Sequence, residues 1–158
     1  MKKYIIWFMV TISWIIGQER IAVMQFEGSG VDEITSKNIT DRFSYELSKT
    51  RRFDIVEREM MDKILEEQKF QASGCVADEC AVEIGQLIGV SQIVAGSISK
   101  IGDFYSLNIK LIDVATGKII YQDMDDHEGK VTDFIKGTIK NIAMRMGAEA
   151  SMGSDQSG

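Results

Sequence analysis

The sequence contains no proline, one histidine and two cysteines, and it has no internal repeat. Because His127 is the only histidine and has no paired nucleophile, the chain offers no catalytic triad. A zinc site would need ligands beyond the cysteines, and His127 lies far from them in the sequence. Clusters of lysine and arginine are also missing from this acidic chain, whose net charge is −6. This argues against nucleic acid or anionic lipid as the main partner.

A long apolar run occurs at the N-terminus, where Met1–Gly17 has the pattern of a signal peptide. Lys2 and Lys3 form a short basic start, Tyr4–Ile16 is almost wholly apolar, and the small Gly17 precedes the predicted cleavage point. About 13 apolar residues fall short of the roughly 20 that a spanning helix needs. We therefore predict export to the periplasm with cleavage; a retained membrane anchor is the alternative. No cysteine directly follows the run, so a lipid-modified N-terminus is not expected.

Export determines how the two cysteines are interpreted. Cys75 and Cys80 lie in a predicted loop that leads into a helix. In an oxidising compartment the default for such a pair is a disulfide, and we predict one between these residues. A redox-active pair more often has two intervening residues than the four found here.

Three consecutive antiparallel strands are predicted between Ser91 and Gln122, and the rest of the chain has to be built around them. They are Gln92–Ile98, Tyr105–Asp113 and a segment that begins at Lys118 and runs through Tyr121. The first is apolar almost throughout, and the second alternates apolar with polar residues. Gly102-Asp103 and Thr116-Gly117 supply turn residues between them. Such a meander needs helices packed on its buried face.

The remaining patterns extend the element order to β-α-β-α-α-β-β-β-α. The further strands are Arg20–Phe26 and Phe53–Val56, and the helices run from the N-cap Asp32 to about Lys49, from Arg58 to Gln68, from near Asp78 to Gly89, and from Lys130 to Met146. Glu27–Gly30 is predicted to be a glycine-containing turn. We therefore predict an α/β fold: a single α/β sandwich with a mixed sheet, a C-terminal antiparallel three-strand meander and packed helices. The domain is predicted to span residues 18–147, before a disordered tail over residues 148–158.

Two segments have the composition of ligand-binding loops without their spacing. Gly28-Ser29-Gly30 lacks the dinucleotide or P-loop pattern, because no Lys-Ser/Thr pair follows it. The acidic run between Asp123 and Glu128 lacks the glycine and final glutamate of a calcium loop, and a solvated strand end is far commoner. We predict no enzyme, and no catalytic, cofactor-binding or metal-binding residues.

Four blocks of the sequence, taken in order and spacing, resemble the CsgG-like family. They are Ile21–Phe26, Leu47–Arg58, Leu87–Ile98 and Leu111–Ile120. The resemblance implies the α/β core that this family shares with the N-terminal domain of TolB and with LpoB. These are fold-forming residues, so they identify a scaffold better than an activity.

The best-known member of this family is the outer-membrane pore for curli subunits, which is lipid-anchored and inserts two β-hairpins per subunit. This chain is a minimal version without such hairpins, since a membrane hairpin needs roughly 20 or more residues. The connections from Ile98 to Tyr105 and from Tyr121 to Val131 are far shorter. We therefore predict that the protein forms no pore by itself and that the mature chain does not insert into the membrane.

The resemblance and the missing catalytic residues together predict a non-enzymatic periplasmic interaction module of the cell envelope. Such a module would serve the assembly, secretion or regulation of a surface system through envelope protein partners, with no cofactor and no nucleic acid. One alternative is a peptidoglycan-synthase activator of the LpoB type. Another is a ligand-binding or enzymatic domain with a cleft that the sequence does not reveal. Self-association is a further possibility, because the family's pores are rings.

Overall fold

The apolar patterns of the sequence form one six-stranded sheet with helices on both faces over the described part of the chain. The computed structural model describes residues 18–69 and 78–153. The strands are β1 (Glu19–Val23), β2 (Glu27–Ser29), β3 (Phe53–Ile55), β4 (Gln92–Ile101), β5 (Phe104–Asp113) and β6 (Ile119–Glu128). The helices are α1 (Glu33–Ser48), α2 (Arg58–Glu67), α3 (Asp78–Ile88), α4 (Val131–Lys136) and α5 (Thr138–Gly153).

The sheet is mixed, with the strand order β3-β1-β4-β5-β6. β1 is parallel to both of its neighbours, while β4, β5 and β6 form the predicted antiparallel meander. β2 lies further along the same edge of β4 and pairs with it in parallel. Gly102 and Gly117 take positive φ angles of 61° and 68° at the two meander connections, as the turn signals indicated.

The helices bury the stripes that their periodicity predicts. Asp32 caps α1 by accepting a hydrogen bond of 2.9 Å from the backbone N–H of Thr35. The stripe of Ile39, Phe43 and Leu47 on α1 is completely buried. Gly89 ends α3 at a φ of 76°, which is the usual conformation of a residue that terminates a helix.

Two apolar cores lie on opposite sides of the sheet. On the side that we call the first face, α1, α4 and α5 pack on the sheet around residues such as Phe43, Leu107 and Ile142. On the second face, α2 and α3 pack around residues such as Ala22, Ile84 and Ile112. The predicted α/β sandwich is therefore confirmed, as a mixed sheet between two helical layers.

Phe26 separates β1 from β2 because its ring leaves the sheet edge and enters the first-face core. The ring is 1% exposed, and its centroid lies 5.3 Å from that of Phe43. Its backbone N–H donates to Thr40 Oγ1 at 3.0 Å, and its carbonyl accepts a hydrogen bond from the hydroxyl of Ser36. Both polar backbone groups are thus satisfied by α1 side chains instead of by the sheet.

Several element boundaries differ from the sequence prediction. The predicted turn Glu27–Gly30 is wrong in its first part, since Glu27–Ser29 pairs with Ser97–Ser99 as a strand. β6 continues seven residues beyond Tyr121, to Glu128. The predicted final helix is two helices, α4 and α5, separated at Gly137. α5 then runs to Gly153, beyond the boundary predicted at residue 147, while residues 154–158 lie outside the described residues.

Candidate interaction face

Among the described residues, the second face of the sheet carries helices over one part and none over another. Three cross-strand rows lie in the bare part, and each row runs from β4 through β5 to β6. They are Ser97–Asn108–Met124, Ser99–Ser106–Asp126 and Ile101–Phe104–Glu128. Glu27 and Ser29 of β2 continue the first two rows, because they pair with Ser97 and Ser99. We call these eleven residues the open face.

Exposure along β6 shows that the two sides of this strand differ. Its residues alternate, with Met124, Asp126 and Glu128 exposed on the second face and Asp123 and Asp125 partly buried on the first face. The alternation arises because α5 packs against the first face of β6. The second face of this strand is therefore accessible.

The open face combines large apolar side chains with small polar ones. Ile101, Phe104 and Met124 are 78%, 43% and 61% exposed. Ser97, Ser99 and Ser106 lie between them. Exposed apolar side chains that lie together with polar neighbours are typical of protein-binding surfaces.

A pocket of about 150 Å³ adjoins the open face at the start of α3. Its wall includes Glu27, Asp78, Ser97, Asn108 and Lys110. Lys110 Nζ lies 3.1 Å from Asp78 Oδ1, so this cation is already paired. The side-chain oxygen of Asn108 is buried and has no hydrogen-bond partner within the described residues. The pocket thus offers an amide acceptor, the Lys110–Asp78 ion pair and the carboxylate of Glu27.

The chemistry of this site favours recognition. Its lysine is paired with Asp78, and its other polar groups are the carboxylate of Glu27, the hydroxyl of Ser97 and side-chain amides, which are groups that can bind a ligand through hydrogen bonds. Within residues 18–69 and 78–153, no group of three or more histidine, cysteine, aspartate or glutamate side chains could hold a metal ion. None of the helices in these two ranges is long and apolar enough to cross a membrane.

The acidic run of β6 is divided between the two faces. On the first face, Arg145 of α5 lies 2.7 Å from Asp123 and 3.1 Å from Asp125, and Tyr121 donates to Asp123 at 2.9 Å. Burial alone would raise the pKa of Asp123, but the hydrogen bonds from Arg145 and Tyr121 outweigh it and lower the pKa. Burial, together with the bond to Asp123, raises the pKa of Tyr121 to about 12. This cluster attaches α5 to the sheet.

His127 and Cys80 are not part of the open face. The ring of His127 faces the first-face core, 6.2 Å from that of Phe134. Cys80 is the third residue of α3, while Cys75 lies outside the described residues, so their disulfide stays a prediction. Sequence reasoning did not identify the open face, because serine and asparagine on alternating strands carry no distinctive signal.

Known families and structures were compared with the whole chain. The profile of the family described as curli production assembly/transport component CsgG matches residues 18–104. No curated protein sequence matches the chain. The match begins just before β1 and ends at the first residue of β5, so it includes the helices of the second face and the parallel part of the sheet.

Solved structures share the fold at low identity. The C-terminal domain of LpoB from Salmonella enterica has a TM-score of 0.61 and 14% identity, covering 73% of this chain and 87% of that one. Lipoprotein GNA1162 from Neisseria meningitidis has a TM-score of 0.60 and 12% identity, covering 89% and 99%. A PelC dodecamer from Paraburkholderia phytofirmans has a TM-score of 0.53 and 13% identity, covering 83% and 86%. The matched residues include the first three sequence blocks, while Leu111–Ile120 lies beyond them. The resemblance to the CsgG-like family is confirmed: with more than half of its length matched by the family profile, the chain belongs to the CsgG family.

Proposed function

We propose that this chain is an exported interaction module of the cell envelope that acts in the periplasm by binding a protein partner, without catalysis of its own. The open face carries the proposal, because it exposes Ile101, Phe104 and Met124 beside a pocket. Membership of the CsgG family supports a role in the assembly, secretion or regulation of a surface system.

The partner is tested by affinity capture with the mature chain, residues 18–158, from periplasmic extract of the source organism. We expect one envelope protein to be enriched reproducibly and to bind the purified chain again in isolation. As the control, the bait is unfolded and presented at the same density. If gentle conditions recover no envelope protein beyond this control, the proposal is wrong.

The proposal includes that the protein is not a pore on its own. The β4–β5 hairpin closes through Gly102 and Asp103 directly after Ile101, so it has no long insertion at its end. The β5–β6 connection is also short, from Val114 to Lys118. Single-channel recording with purified mature chain on planar bilayers should show no stepwise conductance. Stable conductance steps would refute this part.

Export with removal of residues 1–17 is the second part of the proposal. Cleavage after Gly17 makes Gln18 the first residue of the mature protein. Because Trp7 and Trp14 are the only tryptophans of the chain and lie in the removed segment, the mature protein should contain no tryptophan. Intact-mass measurement of protein from the periplasmic fraction checks the cleavage, and the absence of tryptophan fluorescence checks it independently. A retained segment in that fraction would favour the membrane-anchor alternative.

A second candidate function, binding of a small ligand, is favoured by the pocket beside the open face. Its volume of about 150 Å³ and the unpaired oxygen of Asn108 suit a small polar molecule. Thermal-shift screening against nucleotides, metals and sugars tests this, because a ligand that binds only the native state raises the melting temperature. Strong stabilisation by one compound, lost in Asn108→Ala, would support this function over the first.

The LpoB-type activity remains a narrower proposal within the first function. The likeness to the C-terminal domain of LpoB, at 14% identity, supports the shared fold and not the activity. Addition of the mature chain to a peptidoglycan synthase from the same organism should raise the rate of glycan polymerisation if the activity is shared. An unchanged rate would leave other envelope partners as the candidates.

A further inference from the structure

We propose that the open face binds a cationic amphipathic helix of a partner protein, a conclusion that rests on the proposed function and names the surface and the partner's chemistry. The charge of the open face determines the charge of the partner that it attracts, and the distribution of its large and small side chains determines which shape of partner fits.

The open face and the adjoining pocket are acidic. They carry Glu27, Asp78, Asp126 and Glu128 against one cation, Lys110. Because Lys110 is paired with Asp78 at 3.1 Å, the other three carboxylates are left uncompensated by side chains of this surface. A partner with lysine or arginine at its contact would be both attracted and retained. An anionic partner would be repelled.

The side chains of the open face leave space for a helix. Ser97, Ser99 and Ser106 form a low floor along β4 and β5, and Ile101, Phe104 and Met124 rise beside it. On the first face the corresponding part of the sheet is already covered by helices, with Phe134 of α4 stacked on Tyr105 at 5.3 Å. A helix from outside would complete the second layer in the same way, with its apolar stripe on the three exposed apolar side chains.

A second copy of the chain and its own residues 70–77 and 154–158 fit the charge less well. A second copy that presented the same face would bring acidic residues against acidic residues, which is unfavourable. The chain's own residues 70–77 contain no lysine or arginine, and residues 154–158 contain one aspartate and no cation. Neither segment supplies the positive charge that this surface attracts.

Two synthetic helical peptides test the proposal directly. Both have about 18 residues, or about five helical turns, and the same leucine stripe; one has lysine and the other glutamate at its polar positions. We expect the lysine peptide alone to bind the mature chain, with weaker binding at higher salt. Amide chemical shifts should change at Ser97, Ser106 and Met124. Equal binding of the glutamate peptide, or shift changes confined to another surface, would overturn the proposal.

Charge reversal on the face supplies the matched variants. The double variant Asp126→Lys and Glu128→Lys should weaken binding of the lysine peptide about tenfold or more, since two of the three uncompensated carboxylates are replaced by cations that repel the peptide. The control variant Asp62→Lys and Glu66→Lys makes the same change in net charge at exposed positions of α2. It should bind like the wild type. Equal losses of peptide affinity in both double variants would show that the peptide is attracted by the net charge of the protein, and would contradict binding at the open face.

The same variants separate this inference from the proposed function. If the wild type and the Asp126→Lys/Glu128→Lys variant capture the same envelope partner equally well, the function stands and the open face is the wrong surface. If neither captures a partner, the function itself fails. Light scattering tests whether the occupant is a second copy of the chain. A concentration-dependent dimer in the wild type that is absent in the Asp126→Lys/Glu128→Lys variant would show this and would contradict the proposal of a partner helix.

Discussion

The peptide groups of Phe26 depend on two hydroxyl side chains of α1. The bond from the backbone N–H to Thr40 Oγ1 is buried, and Thr40 itself is fully buried. A buried N–H group without an acceptor has lost its hydrogen bonds to water and makes none in the protein, so its desolvation destabilises the fold. The break between β1 and β2 therefore depends on polar side chains inside the core, which a count of apolar residues would miss.

Replacing Thr40 by valine keeps the shape of the side chain and removes the acceptor. We expect Thr40→Val to lower the free energy of unfolding by about 1–3 kcal/mol, because the N–H of Phe26 becomes unsatisfied. Urea denaturation of the mature chain measures this. Thr132→Val, at an exposed position of α4, is the matched control and should change stability little. An unchanged stability in Thr40→Val would show that another acceptor replaces the hydroxyl.

The cluster around Asp123 predicts a dependence of stability on pH. The pKa of Asp123 in the folded chain lies below its ordinary value of 3.8, so the carboxylate stabilises the fold above that value. This contribution is lost as the pH falls from 3.8 through the folded pKa. We expect Asp123→Asn to be less stable than the wild type by about 1 kcal/mol at neutral pH, and the difference to shrink in strong acid. Denaturation midpoints measured across this range check it, with Asp62→Asn as control.

At the scale of elements, Gly85 determines how closely α3 approaches the end of β5. A Cβ atom at Gly85 would lie 2.5 Å from Val114 Cγ2 but 3.5 Å from its Cβ. We expect Gly85→Ala to cost about 1–3 kcal/mol through overpacking. In a Val114→Ala background the clash disappears, and the same change should be neutral or favourable, since alanine favours helix by about 1 kcal/mol. A double-mutant cycle from denaturation curves measures the coupling. Additive effects would contradict the contact.

The connection between α2 and α3 is where the disulfide prediction applies. A bridge between Cys75 and Cys80 would close a small ring and restrict the unfolded chain, a contribution of about 2 kcal/mol. We expect the exported protein to be about 2 Da lighter than the dithiol form, because two hydrogens are lost. Reduction should lower the denaturation midpoint, and the Cys75→Ser/Cys80→Ser variant should be insensitive to reductant. Free thiols in the exported protein would refute the bridge.

The sequence predicts the elements whose apolar residues repeat with a clear period. The α1 stripe and the alternation of β5 are confirmed because burial of one side imposes that period. β6 was predicted too short, since its acidic residues are usually found outside strands, and only the packing of α5 explains why Asp123 and Asp125 lie on a covered face. The division at Gly137 was missed because Val131, Ile139 and Met146 keep helical spacing across it.

The candidate site depends on information that no local pattern contains. Its floor is made of Ser97, Ser99 and Ser106, which look like ordinary strand residues. They form a surface because the second-face helices α2 and α3 lie elsewhere on the sheet. Which part of a sheet lacks a helix is decided by the packing of the whole chain.

At the scale of the whole molecule, the two cores should unfold together because they share one sheet. β4 contributes Ile93 to the second-face core and Val94 to the first-face core. We expect Leu107→Ala and Ile84→Ala, one in each core, each to cost about 2–5 kcal/mol and to shift the same single transition. Far-ultraviolet circular dichroism and tyrosine fluorescence should give coincident curves. Separate transitions for the two variants would show independent cores.

The outermost strand of the sheet has a consequence for crowded conditions. β6 is ten residues long and has no neighbour on its outer side among the described residues. A long edge strand presents unpaired backbone N–H and C=O groups, which can pair with the edge strand of an identical molecule and extend the sheet into a fibre. Here two copies paired along β6 would bring together strands that each carry carboxylates at four of the six positions from Asp123 to Glu128, and this charge repulsion disfavours the pairing. The acidic run therefore opposes edge-to-edge association of copies along β6.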